Sequence, residues 1–132
     1  MMKRKFFFFD IDGTLAVGVP GKQYIPESTK LAISKLKEAG HFVAIATGRS
    51  YAMAVEHMRQ LGFENMVSDG GNGITIDNQL IKIKPLDYDK CVALIDECIE
   101  KNYIWAISPD NTKRRLAPDN RFYDFTHDIY MD

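Results

Sequence analysis

Apolar residues in this chain gather in short unbroken runs separated by stretches with helical spacing. Phe6 to Phe9 and Phe42 to Ala46 are such runs, and Asn65 to Ser68, with Met66 and Val67 at its centre, reads as a third strand. Runs that do not alternate predict strands buried on both faces of a parallel sheet. Ser28 to Ala39 instead carries Leu31, Ala32, Leu36 and Ala39 at helical spacing, with Pro26 and Glu27 in front and Gly40 as a stop. Ser50 to Leu61, closed by Gly62, predicts a second helix. Strands alternating with helices predict a doubly wound α/β layer with a parallel sheet.

The pattern then changes. Ile74 to Ile76 and Leu80 to Ile83 flank Asp77, Asn78 and Gln79, which suits a short hairpin. The Lys84-Pro85 step predicts a boundary, dividing the chain into residues 1–84 and 85–132. Beyond it, Asp87 can cap a helix whose face carries Cys91, Val92, Ile95, Cys98 and Ile99. Tyr103 to Ser108 predicts a strand leading into the turn Pro109-Asp110-Asn111. Phe122 to Tyr130 holds four aromatics without a stop signal, and these read as core. No internal repeat or low-complexity segment interrupts the chain.

Composition narrows the function classes. The 132 residues are one domain's length, and 45% hydrophobic content supplies a sizeable core. Seventeen basic residues nearly balance 18 acidic ones, so no global field draws the chain onto nucleic acid or an anionic membrane. Phosphate recognition must be local. The basic start ahead of Phe6 resembles a signal peptide, but Asp10 ends the apolar run well before the roughly 7 residues that a signal core needs. No other stretch approaches membrane-spanning length, which favours a cytoplasmic protein. Cys91 and Cys98 share a helix face two turns apart, too distant for a disulfide, and read as buried core thiols.

In an open α/β sheet, ligands bind at the carboxyl ends of the strands. Three polar or glycine-rich clusters lie there: Asp10-Ile11-Asp12-Gly13-Thr14, Thr47-Gly48-Arg49 and Asp69-Gly70-Gly71-Asn72-Gly73. Two carboxylates at i and i+2 on a tight loop can face one point in different environments, separating an ionised group from one able to carry a proton. Gly13 lets backbone amides approach an anion. Such a loop suits phosphoryl transfer, with a carboxylate attacking phosphorus and a divalent cation neutralising the negative charge. Magnesium fits because it takes few protein oxygens and keeps phosphate and water in its other positions. The Thr47 hydroxyl and the amides of Ile11, Gly13 and Gly48 can donate to phosphate oxygens, and Arg49 can pair with a phosphate or an acidic group. A Thr after a strand serves equally as a helix cap, and Arg49 equally as a solvated charge. The paired carboxylates ask for more than a cap.

Phe-Phe-Asp-Ile-Asp-Gly-Thr-Leu at residues 8–15, followed by Ala-Thr-Gly-Arg at 46–49, resembles the first two motifs of the haloacid dehalogenase superfamily, specifically the Cof-type sugar-phosphate phosphatases. The resemblance spans essentially the whole chain. It implies a Rossmann-like core, represented by its first half, with the start of an inserted α/β cap from Pro85 onward. It further implies that Asp10 is the nucleophile and a Mg2+ ligand, and that Asp12 protonates the leaving oxygen, later activates water, and binds the metal through its carbonyl. Thr47 would hold the phosphoryl group, and Asn72-Gly73 would form a turn near the substrate.

The family's later lysine and second acidic metal motif have no counterpart here. Ser68-Asp69-Gly70-Gly71-Asn72-Gly73 looks like that acidic motif, but its position directly after the third strand argues against a metal role for Asp69. The resemblance also puts the Phe6 to Phe9 strand mid-sheet, with neighbours supplied later. An uncovered apolar edge is an aggregation hazard, so the chain is expected to need its missing C-terminal core half or a partner chain. His41, His57 and His127 show no ligand spacing and read as surface or packing residues. Lys113-Arg114-Arg115 reads as a solvated strand or turn, or in a cap as a contact for an acidic substrate. The leading expectation is hydrolysis of a small phosphorylated metabolite through a phospho-aspartate. The alternatives are phosphomutase-type transfer and a non-catalytic phosphate- or protein-binding fragment.

Overall fold

The computed structural model describes residues 3–19 and 21–131. They form two compact units, Met1–Ile83 and Lys84–Asp132.

The first unit is a five-stranded mixed sheet with helices, an α/β Rossmann-like arrangement. Strands β1 (Phe6–Phe9), β2 (Phe42–Ala46) and β3 (Met66–Ser68) are parallel, and β4 (Gly73–Ile76) and β5 (Gln79–Ile83) continue the sheet antiparallel in the order β1-β2-β3-β4-β5. Helix α1 (Glu27–Glu38) joins β1 to β2, and α2 (Tyr51–Gln60) joins β2 to β3. Both helices end as their glycines predict. After α1, the Gly40 and His41 amides donate back to the carbonyls of Lys37 and Leu36, with Gly40 at φ +80°. After α2, the Gly62 and Phe63 amides donate to Arg59 and Met58, with Gly62 at φ +67°. This left-handed exit satisfies carbonyls that the helix leaves unpaired.

Helix α1 begins one residue earlier than its apolar spacing implies, because Pro26 opens it and Glu27 sits favourably against the positive end of the helix. The hairpin turn has two residues rather than three. Asp77 and Asn78 both take positive φ, +50° and +64°, as the tight hairpin turn matching strand twist requires, and Gln79 enters β5.

The core lies between the sheet and the two helices. Ile33 of α1 and Ala54 and Met58 of α2 pack with Val43, Ile45, Phe63 and Met66, while Phe7 and Phe9 lie against the same cluster. Crossovers that step the same way across a sheet put their helices on one face when both are right-handed. The opposite face of β1 is therefore open, correcting the expectation of two-sided burial: Phe6 and Phe8 are 65% and 57% exposed. Both rings lean on Phe42, at 5.4 and 5.9 Å between centroids, and the Arg4 guanidinium lies over Phe6 and Phe42. Among the described strands, β1 is an edge, paired only with β2.

The second unit holds α3 (Tyr88–Glu100) and α4 (Arg121–Thr126). Asp87 caps α3 as its position predicts, its carboxylate accepting the Lys90 amide at 3.0 Å. Cys91 and Cys98 are free but only half-buried, so the buried-thiol reading does not hold. Tyr103 to Ser108 is not a strand. Extended residues form a strand only with a ladder partner, and here the pairing is one bridge, Ile107 with Leu116. The Lys113-Arg114-Arg115 run is drawn into ion pairs, Arg114 with Asp110 and Arg115 with Asp128. Helix α4 does end on a stop, His127 at φ +52°. Its aromatics stay largely outside, with Tyr123 and Phe125 at 47% and 78% exposure, because six residues make too short a helix to bury a face. Among the described residues, no helix is long and apolar enough to cross a membrane.

The one-sided core sets the first prediction. Phe63, 1% exposed and packed edge-on against Phe9, should cost about 3–5 kcal/mol when replaced by Ala. Phe8→Ala, on the open face, should change stability by about 0.5 kcal/mol. Urea unfolding of both variants checks the difference, and equal losses would contradict the packing described.

Candidate active site

The loop after β1 is built on one buried residue. Ile11 has no solvent exposure, and its carbonyl accepts amides from Thr14, Leu15 and Ala16 at 3.3, 3.0 and 2.8 Å. Leu15 and Ala16 follow it into the core. Gly13 turns the chain at φ +78°, and its amide donates to Ala16 at 2.9 Å. With Ile11 pulled inward, its neighbours Asp10 and Asp12 are both left exposed at the carboxyl end of β1.

Asp12 is held from two sides. Arg49 donates through Nε to Oδ2 at 2.8 Å and through Nη2 to Oδ1 at 2.5 Å, the paired geometry that guanidinium and carboxylate favour. Gln23 donates from Nε2 to Oδ1 at 2.7 Å. The Arg49 hydrogen bonds hold the Asp12 carboxyl below its ordinary pKa of 3.8, outweighing the opposing effect of partial burial, and Gln23 adds to the lowering. Asp12 is thus ionised at neutral pH. Arg49 meets an acidic group of its own chain, one of the two kinds of partner anticipated for it.

Thr47 follows β2 and is 6% exposed. Its amide continues the ladder to Val67 at 2.9 Å, and its Oγ1 accepts the Arg49 amide at 3.1 Å. Accepting that bond leaves the hydroxyl proton free to donate. Gly48, between them, is exposed.

The third cluster is tied to the second. Asp69, at φ +54°, donates its amide to the Arg49 carbonyl at 2.8 Å. Its Oδ2 accepts the Tyr51 amide at 3.1 Å and the Ser68 hydroxyl at 2.8 Å. Ser50 precedes α2 without a capping bond of its own, so Asp69 caps that helix from a neighbouring loop. One of the Asp69 carboxylate oxygens, Oδ2, is thereby committed to an amide and a hydroxyl. Asn72 donates its amide and Nδ2 to the Asp69 carbonyl at 3.2 and 3.3 Å, so its side chain braces the turn. Gly73 must lack a side chain, since a Cβ there would lie 2.2 Å from Ser68 Oγ.

Arg49 therefore joins all three loops, through its side chain to Asp12, its amide to Thr47 and its carbonyl to Asp69. Gln23 and Tyr51 complete the arrangement and carry no motif-like signal in the sequence, and Ser68 stands out there only as the start of the stretch that looks like the acidic motif. The Asp10 carboxylate and the Asp12 carbonyl are hard oxygens of the kind magnesium prefers and could contribute to holding one. Among the described residues, no group of three or more His, Cys, Asp or Glu gathers around a metal position, so these two would be the beginning of a shell.

The model of the haloacid dehalogenase-like hydrolases matches residues 7–125. The chain belongs to that family. Within it, YkrA of Bacillus subtilis (strain 168), a candidate phosphatase by name, is 30% identical over 119 residues, covering 90% of this chain and 45% of YkrA. A crystal structure of a hypothetical protein from Geobacillus kaustophilus HTA426 matches with a TM-score of 0.71 at 34% identity, covering 90% of this chain and 45% of that one. The sugar phosphatase BT4131, of haloacid dehalogenase subclass IIB, matches with a TM-score of 0.69 at 23% identity over 96% of this chain and 49% of its own. This hydrolase-family chain spans about half the length of these relatives.

The Asp69 cap yields the second prediction. Asp69→Ala removes an external helix cap and should cost about 1–2 kcal/mol in chemical denaturation. Unchanged stability would mean that Asp69 does not hold α2.

Proposed function

We propose that this chain carries the nucleophile-bearing half of a magnesium-dependent phosphatase centre, acting on a small phosphorylated metabolite, foremost a sugar phosphate, through a phospho-Asp10 intermediate. The observation that carries this reading is the turn that buries Ile11 and exposes Asp10 and Asp12 together, beside Thr47 and Arg49. Family membership supports hydrolysis, and the sugar-phosphatase neighbour supports the substrate class.

The chain's own groups divide the work. The exposed Asp10 carboxylate attacks phosphorus, forming an acyl phosphate as the bond to the leaving oxygen breaks. Asp12 delivers a proton to that oxygen, and afterwards takes one from the water that attacks phosphorus and frees Asp10. Thr47 donates its hydroxyl proton to a phosphoryl oxygen, with the amides of Ile11 and Gly48 as further donors; the Gly13 amide, expected to join them, is instead taken by the Ala16 carbonyl and serves the turn. The Arg49 pair keeps Asp12 ionised before substrate arrives, the form required of a base. To serve as the acid, Asp12 must lose Arg49 to the entering phosphate and take up the proton that a monoanionic phosphate ester brings, which it then passes to the leaving oxygen. Magnesium, held by the Asp10 carboxylate and the Asp12 carbonyl, would supply positive charge against phosphate and nucleophile. Asn72 borders the substrate side from the β3–β4 turn.

The rest of the centre lies outside these residues. A chain half the length of its relatives, with aromatic β1 at the sheet edge, calls for a C-terminal core half or a partner chain to cover that edge and to supply the missing lysine and acidic ligands. The same facts favour, as the second reading, a fragment that binds phosphate without turnover. Residues from Pro85 onward would begin the substrate-selecting cap.

Release of phosphate from p-nitrophenyl phosphate is the test, using this chain and a C-terminally extended form. Activity should need Mg2+, vanish with EDTA, and fall on the order of a thousandfold or more in Asp10→Asn. Retained turnover in Asp10→Asn would eliminate covalent catalysis at this site. Equal turnover by the two lengths would eliminate the need for a second half, and an isomeric sugar phosphate as product from a sugar phosphate would mark a mutase.

A further inference from the structure

Gln23 belongs to no motif, yet it closes a ring around Asp12. The segment after the Asp10 turn folds back on itself. Val17 and Tyr24 exchange both backbone hydrogen bonds at 2.9 Å, and the Lys22 amide closes the bend on Val19 at 2.9 Å. Gly18, at φ +108°, sits where a Cβ would strike the Lys22 carbonyl oxygen at 2.6 Å, so the bend is built for close backbone approach. This small hairpin returns Gln23, eleven residues after Asp12, to the Asp12 carboxylate.

The contacts are directional. Gln23 Nε2 donates to Asp12 Oδ1 at 2.7 Å, and Arg49 Nη2 donates to Gln23 Oε1 at 2.9 Å. Arg49 completes the ring by its own two bonds to Asp12. Turning the amide over would set its NH2 against the guanidinium and its oxygen against the carboxylate, so the neighbours fix its orientation. Arg49 is the one member that a phosphate also attracts, whereas the Gln23 amide is neutral and has little to gain by following the anion.

We propose that Gln23 is a positioning residue for Asp12, holding that carboxylate in place by a hydrogen bond that persists when Arg49 turns to the substrate phosphate. The role rests on the reading of Asp12 as the acid/base. It assigns the backbone pairing of Val17 with Tyr24 a function: to deliver one neutral donor to a carboxylate that would otherwise depend on a cation shared with substrate. Gln23 touches neither phosphorus nor the leaving group in this scheme.

The geometry is tested without turnover. In the 15N-labelled chain, the Gln23 side-chain amide, assigned by its loss in Gln23→Glu, should exchange slowly with water and stay protected when inorganic phosphate is added. It should revert to the behaviour of a free glutamine in Asp12→Ala. Free behaviour in the unsubstituted chain, or no response to Asp12→Ala, overturns the proposal. The role is tested with p-nitrophenyl phosphate and Mg2+ in the form of the protein that turns over. Gln23→Ala and Gln23→Glu should each lower kcat about ten- to a hundredfold, as misplacement of a reacting group does. KM should stay within about twofold. Gln23→Glu keeps the side chain's length and its acceptor for Arg49 but loses the donor to Asp12, so full kcat in that variant overturns the role. Undiminished activity in Asp10→Asn would refute the catalytic reading itself, while the amide exchange still decides whether Gln23 holds Asp12.

Discussion

Everything at this site depends on the burial of one isoleucine between two aspartates. Ile11 is fully enclosed, and three amides converge on its carbonyl, so the chain cannot rotate there without exposing an apolar side chain and breaking a turn. Two carboxylates are thereby held at the surface against their mutual repulsion. Apolar burial of this kind is insensitive to what happens in the solvent above it. Charge can therefore change at Asp10 and Asp12 during a reaction while the backbone that carries them stays fixed.

Around that anchor, the loops after β2 and β3 are joined by bonds of a different character. Arg49 links all three loops, and Asp69 locks the third onto the start of α2. The Asp69 bonds are made to backbone and a hydroxyl, and no substrate competes for them. The bonds of Arg49 to Asp12 are charge-assisted and partly open to water, so an entering phosphate can draw on them. The site thus combines a rigid frame with one exchangeable ion pair, which suits the acid/base role proposed for Asp12.

Much of this was legible before any coordinate. The helices α1 and α2 announced themselves by apolar spacing and closing glycines, and β2 lies where its apolar run does, because those signals are local and the fold agrees with them. The Asp10-Ile11-Asp12-Gly13 loop was legible for the same reason. Tertiary contacts decided the rest. The four phenylalanines of β1 looked doubly buried, yet Phe6 and Phe8 face outward because both helices cover the other side. Tyr103 to Ser108 has strand-forming residues but no ladder partner beyond one bridge. Asp69 has the chemistry of a metal ligand, and only the arrival of the α2 terminus reveals its engagement. Gln23 is a glutamine in a glycine-framed loop, without a signature until the hairpin returns it to Asp12.

The central claim is that Asp10 is the atom donor to phosphorus. It is tested most directly by acid-quenching the Mg2+-loaded protein during turnover of a phosphate ester and locating the phosphoryl group by peptide mass spectrometry. The account predicts a hydroxylamine-labile phosphoryl group on Asp10, absent from Asp10→Asn. A phosphoryl group on any other residue, or turnover with the Asp10 peptide unmodified at every quench time, would contradict it.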